Sequence, residues 1–139
     1  MPGENILPNE HYPDYFQVVT IPFFHAMFNT TGDCIPALYV EPRASNGTGI
    51  VVDNITYGIA IVESASDTME VIHATTPQAT TGLSLQTATI PLNALGTATT
   101  TIDTANNFVP AGNWLILKAN ADLGQVHGCV TIRFRSRLK

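Results

Sequence analysis

Forty of the 139 residues are Thr, Ile or Val, in numbers of 18, 12 and 10. Branching at Cβ stiffens χ1, which disfavours helices and suits the pleated, half-buried surface of a sheet. Only 2 Lys and 5 Glu are present, so the residues that usually dress exposed helix faces are scarce. An all-β chain is expected. Its length is that of one domain, and such a domain buries roughly two-thirds of its unfolded surface, so a core forms without metal or disulfide.

Residues 1–14 carry Pro2, Pro8 and Pro13 and read as an extended N-terminal arm, with the sandwich domain spanning 15–139. The apolar run from Tyr15 to Phe28 is split by Pro22, which predicts a strand that bends, lies at an edge, or continues as two. A short strand over 35–41, with Pro36 and Pro42, also reads as an edge. After the Asn46-Gly47 loop, Ile55, Tyr57, Ile59 and Ile61 alternate with smaller residues. Met69, Val71 and His73 alternate in the next strand, and the two together predict an antiparallel hairpin.

Between Leu83 and Leu92 the apolar parity flips, as at a β-bulge or a crossing between sheets. Residues 96–107 are nearly all small and polar, which suits an edge or a surface that packs on another chain. Strands are expected over 114–119 and 126–135. In the last one Val126, Gly128, Val130, Ile132 and Phe134 share a dry face, opposite His127, Cys129, Thr131, Arg133, Arg135 and Arg137. About eight antiparallel strands without a convincing helix predict a β-sandwich of jelly-roll type. The immunoglobulin-like sandwich ranks lower, because the lone Trp114 stands 80 positions after Cys34.

Charge narrows the function. Arg133, Arg135, Arg137 and Lys139 are four of the six cations, whereas all eleven acids lie at or before Asp122. A nucleic-acid-binding domain needs a broad basic face, so no nucleic-acid partner is expected. No apolar run reaches the ~20 residues of a membrane span, so no membrane partner is expected either. The N-terminal residues lack a basic and apolar leader pattern, so no secretory signal is expected. The three Asn-x-Thr sequons, at Asn29, Asn46 and Asn54, then read as chance in a Thr-rich chain. Cys34 and Cys129 read first as small buried apolar residues, with a disulfide between them as the alternative.

Chemistry-bearing patterns are weak. His11, His25, His73 and His127 are spaced so that no single element supplies a two-His metal clamp. No Gly-x-Ser-x-Gly elbow surrounds any serine, and Gly47-Thr48-Gly49 lacks the Lys and helix of a phosphate loop. The chain is expected to be non-enzymatic and to need no cofactor.

Contact features are stronger. The arm carries Ile6, Leu7 and Tyr12, and is either a frayed terminus or a segment lying on a neighbouring subunit. In strand 114–119, Trp114 and Ile116 face opposite to Leu115 and Leu117. Two dry faces imply a central strand covered on both sides, or burial against another protomer. The arginines at 133, 135 and 137 are either an aggregation-blocking edge or a docking stripe for an acidic protein surface.

The stretch Val109-Pro110-Ala111-Gly112-Asn113-Trp114-Leu115-Ile116-Leu117, followed after a turn by Gly128-Cys129-Val130-Thr131-Ile132-Arg133-Phe134-Arg135, resembles the closing hairpin of small head decoration (cement) proteins of tailed bacteriophages. That resemblance covers about 30 residues closely and implies a jelly-roll or sandwich homo-oligomer, most often a trimer. It would sit on the capsid exterior of the virion, bound to the major capsid protein and stabilising the head, after synthesis in the host cytoplasm. It implies no catalytic residues; its contact candidates are Ile6, Leu7, Tyr12, Trp114, Ile116, Arg133, Arg135 and Arg137. A carbohydrate-binding or adhesin-type sandwich is the alternative, drawing on Tyr12, Tyr15, Tyr39, Tyr57 and Trp114, of which the last three read as core.

Overall fold

The computed structural model describes residues 16–28, 34–42, 48–63, 66–121 and 123–136. The arm over 1–14, with Ile6, Leu7 and Tyr12, lies outside the described residues, as does Arg137. Ten strands follow in chain order: β1 (Gln17–Phe24), β2 (Cys34–Tyr39), β3 (Gly49–Ile61), β4 (Thr68–Ala74), β5 (Leu83–Ser84), β6 (Ile90–Pro91), β7 (Gly96–Thr100), β8 (Phe108–Pro110), β9 (Trp114–Ala119) and β10 (His127–Ser136). A single 3-10 turn, His25–Met27, is the only helical segment among the described residues.

The strands form two antiparallel sheets of five. In the first, the order is β1-β10-β3, and the far edge of β3 is shared by β7 and β8. β7 pairs along Ile55–Ile59 and β8 along Gly49–Val51. In the second, the order is β2-β9-β4, and β4 is bordered by β5 and β6. Ten strands thus fill eight positions, because each sheet ends in an edge broken into two pieces. The break between β5 and β6 is the parity flip of 83–92: Leu85, Ile90 and Leu92 are buried, whereas Leu83 is exposed.

Two expected pairings are corrected. β3 and β4 do not form a hairpin; β3 belongs to the first sheet and β4 to the second. Likewise β9 and β10 do not close as a hairpin but sit in opposite sheets. In both cases the connection crosses from one sheet to the other, so that each strand lays its apolar face on the common core rather than beside its neighbour in sequence. Glu63 fastens the two crossings together. Its buried carboxylate Oε2 accepts hydrogen bonds from the backbone of Gly124 (2.6 Å) and Gln125 (3.1 Å), and its own N–H donates to Leu92 O (2.8 Å).

The core is one cluster between the sheets, including Phe23, Val52, Ile55, Val71, Leu117 and Ile132. Val130, Ile132 and Phe134 of β10 face it, as their alternation predicts. Gly128 shares that face for a steric reason. A Cβ there would collide with the Gly58 carbonyl and stand 3.1 Å from Phe23 Cζ and 3.2 Å from Ile59 Cδ1. The glycine leaves room for the Phe23 ring on the dry side.

β9 resolves the question of its two dry faces. It is central in the second sheet, between β2 and β4, and Leu115, Leu117 and Ala119 join the inter-sheet core. Ile116 points the other way, opposite Ile72 of β4, and both are fully buried within this chain. β10 is likewise central, between β1 and β3, so its arginines stand on a sheet face and not on an edge.

Candidate docking face

The outer face of the first sheet is assembled by register. Thr20 of β1 pairs with Thr131 of β10, Thr131 with Thr56 of β3, and Thr56 with Thr99 of β7. Four threonines therefore cross the sheet in one row. Their hydroxyls bond to each other, Thr20 to Thr131 at 2.9 Å and Thr56 to Thr99 at 3.1 Å, and Asn54 Nδ2 donates to Thr56 Oγ1 at 2.9 Å. With hydroxyls satisfied laterally, the row can be covered at little desolvation cost. The next row holds Pro22, Cys129, Gly58 and Thr97. Gly58 leaves a flat spot, for a Cβ there would only touch Thr97 Oγ1 (3.7 Å) and Cys129 Sγ (3.8 Å).

One end of the face is aromatic. Phe24 is 46% exposed and meets the His127 ring edge-on, with centroids 6.3 Å apart. With His25, Ile61 and Gln125 they line a shallow groove of about 470 Å³. The other end is cationic. A register shift between Arg133 and Phe134 pushes Asp53 out of the β3 ladder, and its carboxylate meets Arg133 Nε at 3.1 Å. The Arg133 guanidinium also lies 4.7 Å from the centre of the Phe16 ring. Both contacts are exposed, so each contributes about 0–1 kcal/mol and chiefly fixes where the cation stands. Arg135 projects from the same face, opposite Val51. Between Arg133 and His127 the rows carry no ionised acid or base.

The contact residues expected from sequence do not gather on one surface. Arg133 and Arg135 lie on this face. Trp114 stands on the outer face of the second sheet, tilted against Tyr39 with centroids 4.9 Å apart. Tyr39 is 41% exposed, which corrects its reading as core; Tyr57 does pack against the core. Ile116, fully buried, offers no surface of its own. Sequence reasoning missed the threonine row and Phe24. The parity of each strand was available, but which threonines align depends on pairing partners far apart in the chain.

The remaining reactive groups are dispersed. Cys34 and Cys129 are not joined by a disulfide: they lie on outer faces of opposite sheets, beyond the 4.4–6.8 Å Cα reach of such a bond. Among the described residues no three His, Cys, Asp or Glu gather as a metal site, and no helix is long and apolar enough to cross a membrane. His73 is buried, and Asn113 Nδ2 donates to its Nδ1 at 3.1 Å. Burial holds its pKa below the usual histidine value, an effect the Asn106 backbone partly opposes.

The fold is therefore a two-sheet antiparallel sandwich, and the outer face of its first sheet is lined by threonines. No protein-family model and no curated protein matches the sequence. Similar solved structures come from two phage capsids. A chain from "Cyanophage Pam1 capsid asymmetric unit" is 14% identical with a TM-score of 0.50, over 86% of this chain and 83% of that one. A chain from "Acidic stable capsid structure of Helicobacter pylori bacteriophage KHP30" is 14% identical with a TM-score of 0.48, over 86% of each chain.

Proposed function

We propose that this protein is a non-enzymatic structural component of a phage head: a decoration (cement) protein that binds the capsid exterior as a homo-oligomer, most simply a trimer, and stabilises the shell through contacts with the major capsid protein. The observation that carries this reading is the likeness to a chain of the Pam1 capsid asymmetric unit, which spans 86% of this chain and 83% of that one. Near-equal coverage means that the two chains are similar in length. The likeness therefore spans most of both chains and not one module of a much larger chain.

Three features support the reading. The strand order places the first strand beside the last and the second beside the penultimate, which supports a jelly roll. The closing strands carry the sequence that resembles cement proteins. The outer face of the first sheet combines flat, internally satisfied threonines with a cationic corner at Arg133 and Arg135. Such a face is suited to a broad, shallow contact in which arginines meet carboxylates of the shell. The arm residues Ile6, Leu7 and Tyr12, together with Arg137, complete the proposed contact set.

The test is reconstitution. Purified protein is mixed with heads of the phage that encodes it, prepared without this protein, and sedimented. The expected result is co-sedimentation at a fixed copy ratio, with cryo-EM density on the outer surface and a higher head-disruption temperature. Substituting Thr131→Glu with Arg133→Glu is expected to abolish binding while the protein still melts cooperatively, a little lower for the lost Thr20 and Asp53 contacts. Protein that stays at the top of the gradient overturns the reading. The exposed Tyr39, tilted against the half-buried Trp114, favours one second reading, a glycan-binding surface; a glycan array without hits would remove it.

A further inference from the structure

We infer that β7 is a self-association edge, pairing antiparallel with β7 of a second copy of this chain across a two-fold axis. The reasoning begins with the other edges. An edge strand presents unpaired N–H and C=O groups, and natural sheets blunt such edges with proline, charge, bulges or shortness. This chain does so repeatedly. β1 carries Pro22, β2 carries Pro36 and a register shift, β6 carries Pro91 and β8 carries Pro110, while β5 is only two residues long.

β7 has none of these devices. It is Gly-Thr-Ala-Thr-Thr, five residues without proline, charge or register shift, and exposed from Gly96 to Thr99. It pairs with β3 on one side, and its other edge is unpaired over Gly96–Thr100 among the described residues; directly beyond, Thr101 and Ile102 are taken up by Thr87 and Gln86. Leu95, immediately before it, is 70% exposed, more than any other large apolar side chain described. An unblunted edge beside an exposed leucine is what a strand-addition site requires.

The occupant follows by elimination. A second copy offers the same set of described edges, and all but β7 are proline-bearing or too short to pair over five residues. Pairing β7 with itself is self-complementary, as a two-fold contact must be. It buries no charge and sets small β-branched residues against one another, where Thr–Thr pairs contribute favourably. In a pairing centred on Ala98, Gly96 of each copy lies opposite Thr100 of the other, and the pairing stops short of Thr101, whose carbonyl already accepts from the Thr87 N–H. The contact is small, so it forms at high local concentration, as between neighbours on a lattice, and is weak in dilute solution. The inference does not rest on the capsid reading, since it concerns only copies of this chain.

Sedimentation velocity of the full chain from micromolar to millimolar concentration tests it. The smallest species is expected to double in mass as concentration rises, with hydrogen-exchange protection appearing at Gly96–Thr100. Thr97→Lys with Thr99→Lys sets like charges across the pair and is expected to weaken doubling about tenfold, with circular dichroism unchanged. Hydrogen exchange on the unsubstituted protein reads the same contact even where the variant folds poorly. A mass constant over the whole range, or doubling without protection of β7, overturns the inference. So does doubling that survives the lysines but is lost in Ile6→Asp with Leu7→Asp, which would make the arm the occupant.

Discussion

At the scale of single residues, His73 is the group most exposed to solution conditions although it is the least exposed to solvent of the histidines described. Its Nδ1 accepts from Asn113, and the ring is buried. The folded protein therefore resists protonation of this ring, and burial sets its pKa below 6.5, against partial opposition from the Asn106 backbone. A base with a lowered folded pKa binds fewer protons folded than unfolded, so stability is lost as pH falls. The contribution is constant above the unfolded value and declines from about pH 6.5 down to the lowered folded value. Urea midpoints are expected to fall between about pH 7 and about pH 5, and His73→Gln is expected to flatten that slope. The slope persisting in the variant would assign it to other groups.

Elements differ in how much they carry. β9 is central and sets Leu115, Leu117 and Ala119 into the inter-sheet core, so Leu117→Ala is expected to cost about 2–5 kcal/mol. Thr99→Ala, on the exposed edge strand β7, is expected to stay within about 0.5 kcal/mol. Urea denaturation of both variants measures the contrast, and equal effects would contradict the topology. The strands themselves were readable from sequence. In β10, residues 126–135 alternate cleanly because a sheet with one dry face imposes a period of two. Pro36 marked β2 as an edge, and Pro22 left an edge as one of three readings for β1, because a residue without N–H cannot serve a ladder on both sides. Pairing was not readable. The segment between Ile61 and Thr68 has turn chemistry, yet its path is set by Glu63, which reaches Leu92, Gly124 and Gln125 far along the chain. The same gap hid the threonine row of the docking face, which exists only once β1, β10, β3 and β7 lie side by side. Arg133 was legible as an outward cation, but the bulge that delivers Asp53 to it was not.

At the scale of the whole molecule, the two sheets hold Cys34 and Cys129 on outer faces of opposite sheets. Stability should then be independent of redox state. Melting with and without dithiothreitol is expected to coincide, and a drop on reduction would mean that the sheets are not arranged as described. The strand order also governs how such a chain comes to exist. β10 is the partner of both β1 and β3, and β9 is the partner of both β2 and β4. The two strands that knit the sheets together are thus the last two of the domain to leave the ribosome. Until they emerge, four earlier strands wait with their edges open, and the pairing of residues 17–24 with 127–134 spans nearly the whole domain. Such long-range closure makes folding slow and leaves the nascent chain open to aggregation until β9 and β10 have emerged. A ribosome stalled before Trp114 is expected to hold a protease-sensitive chain, however complete its first eight strands.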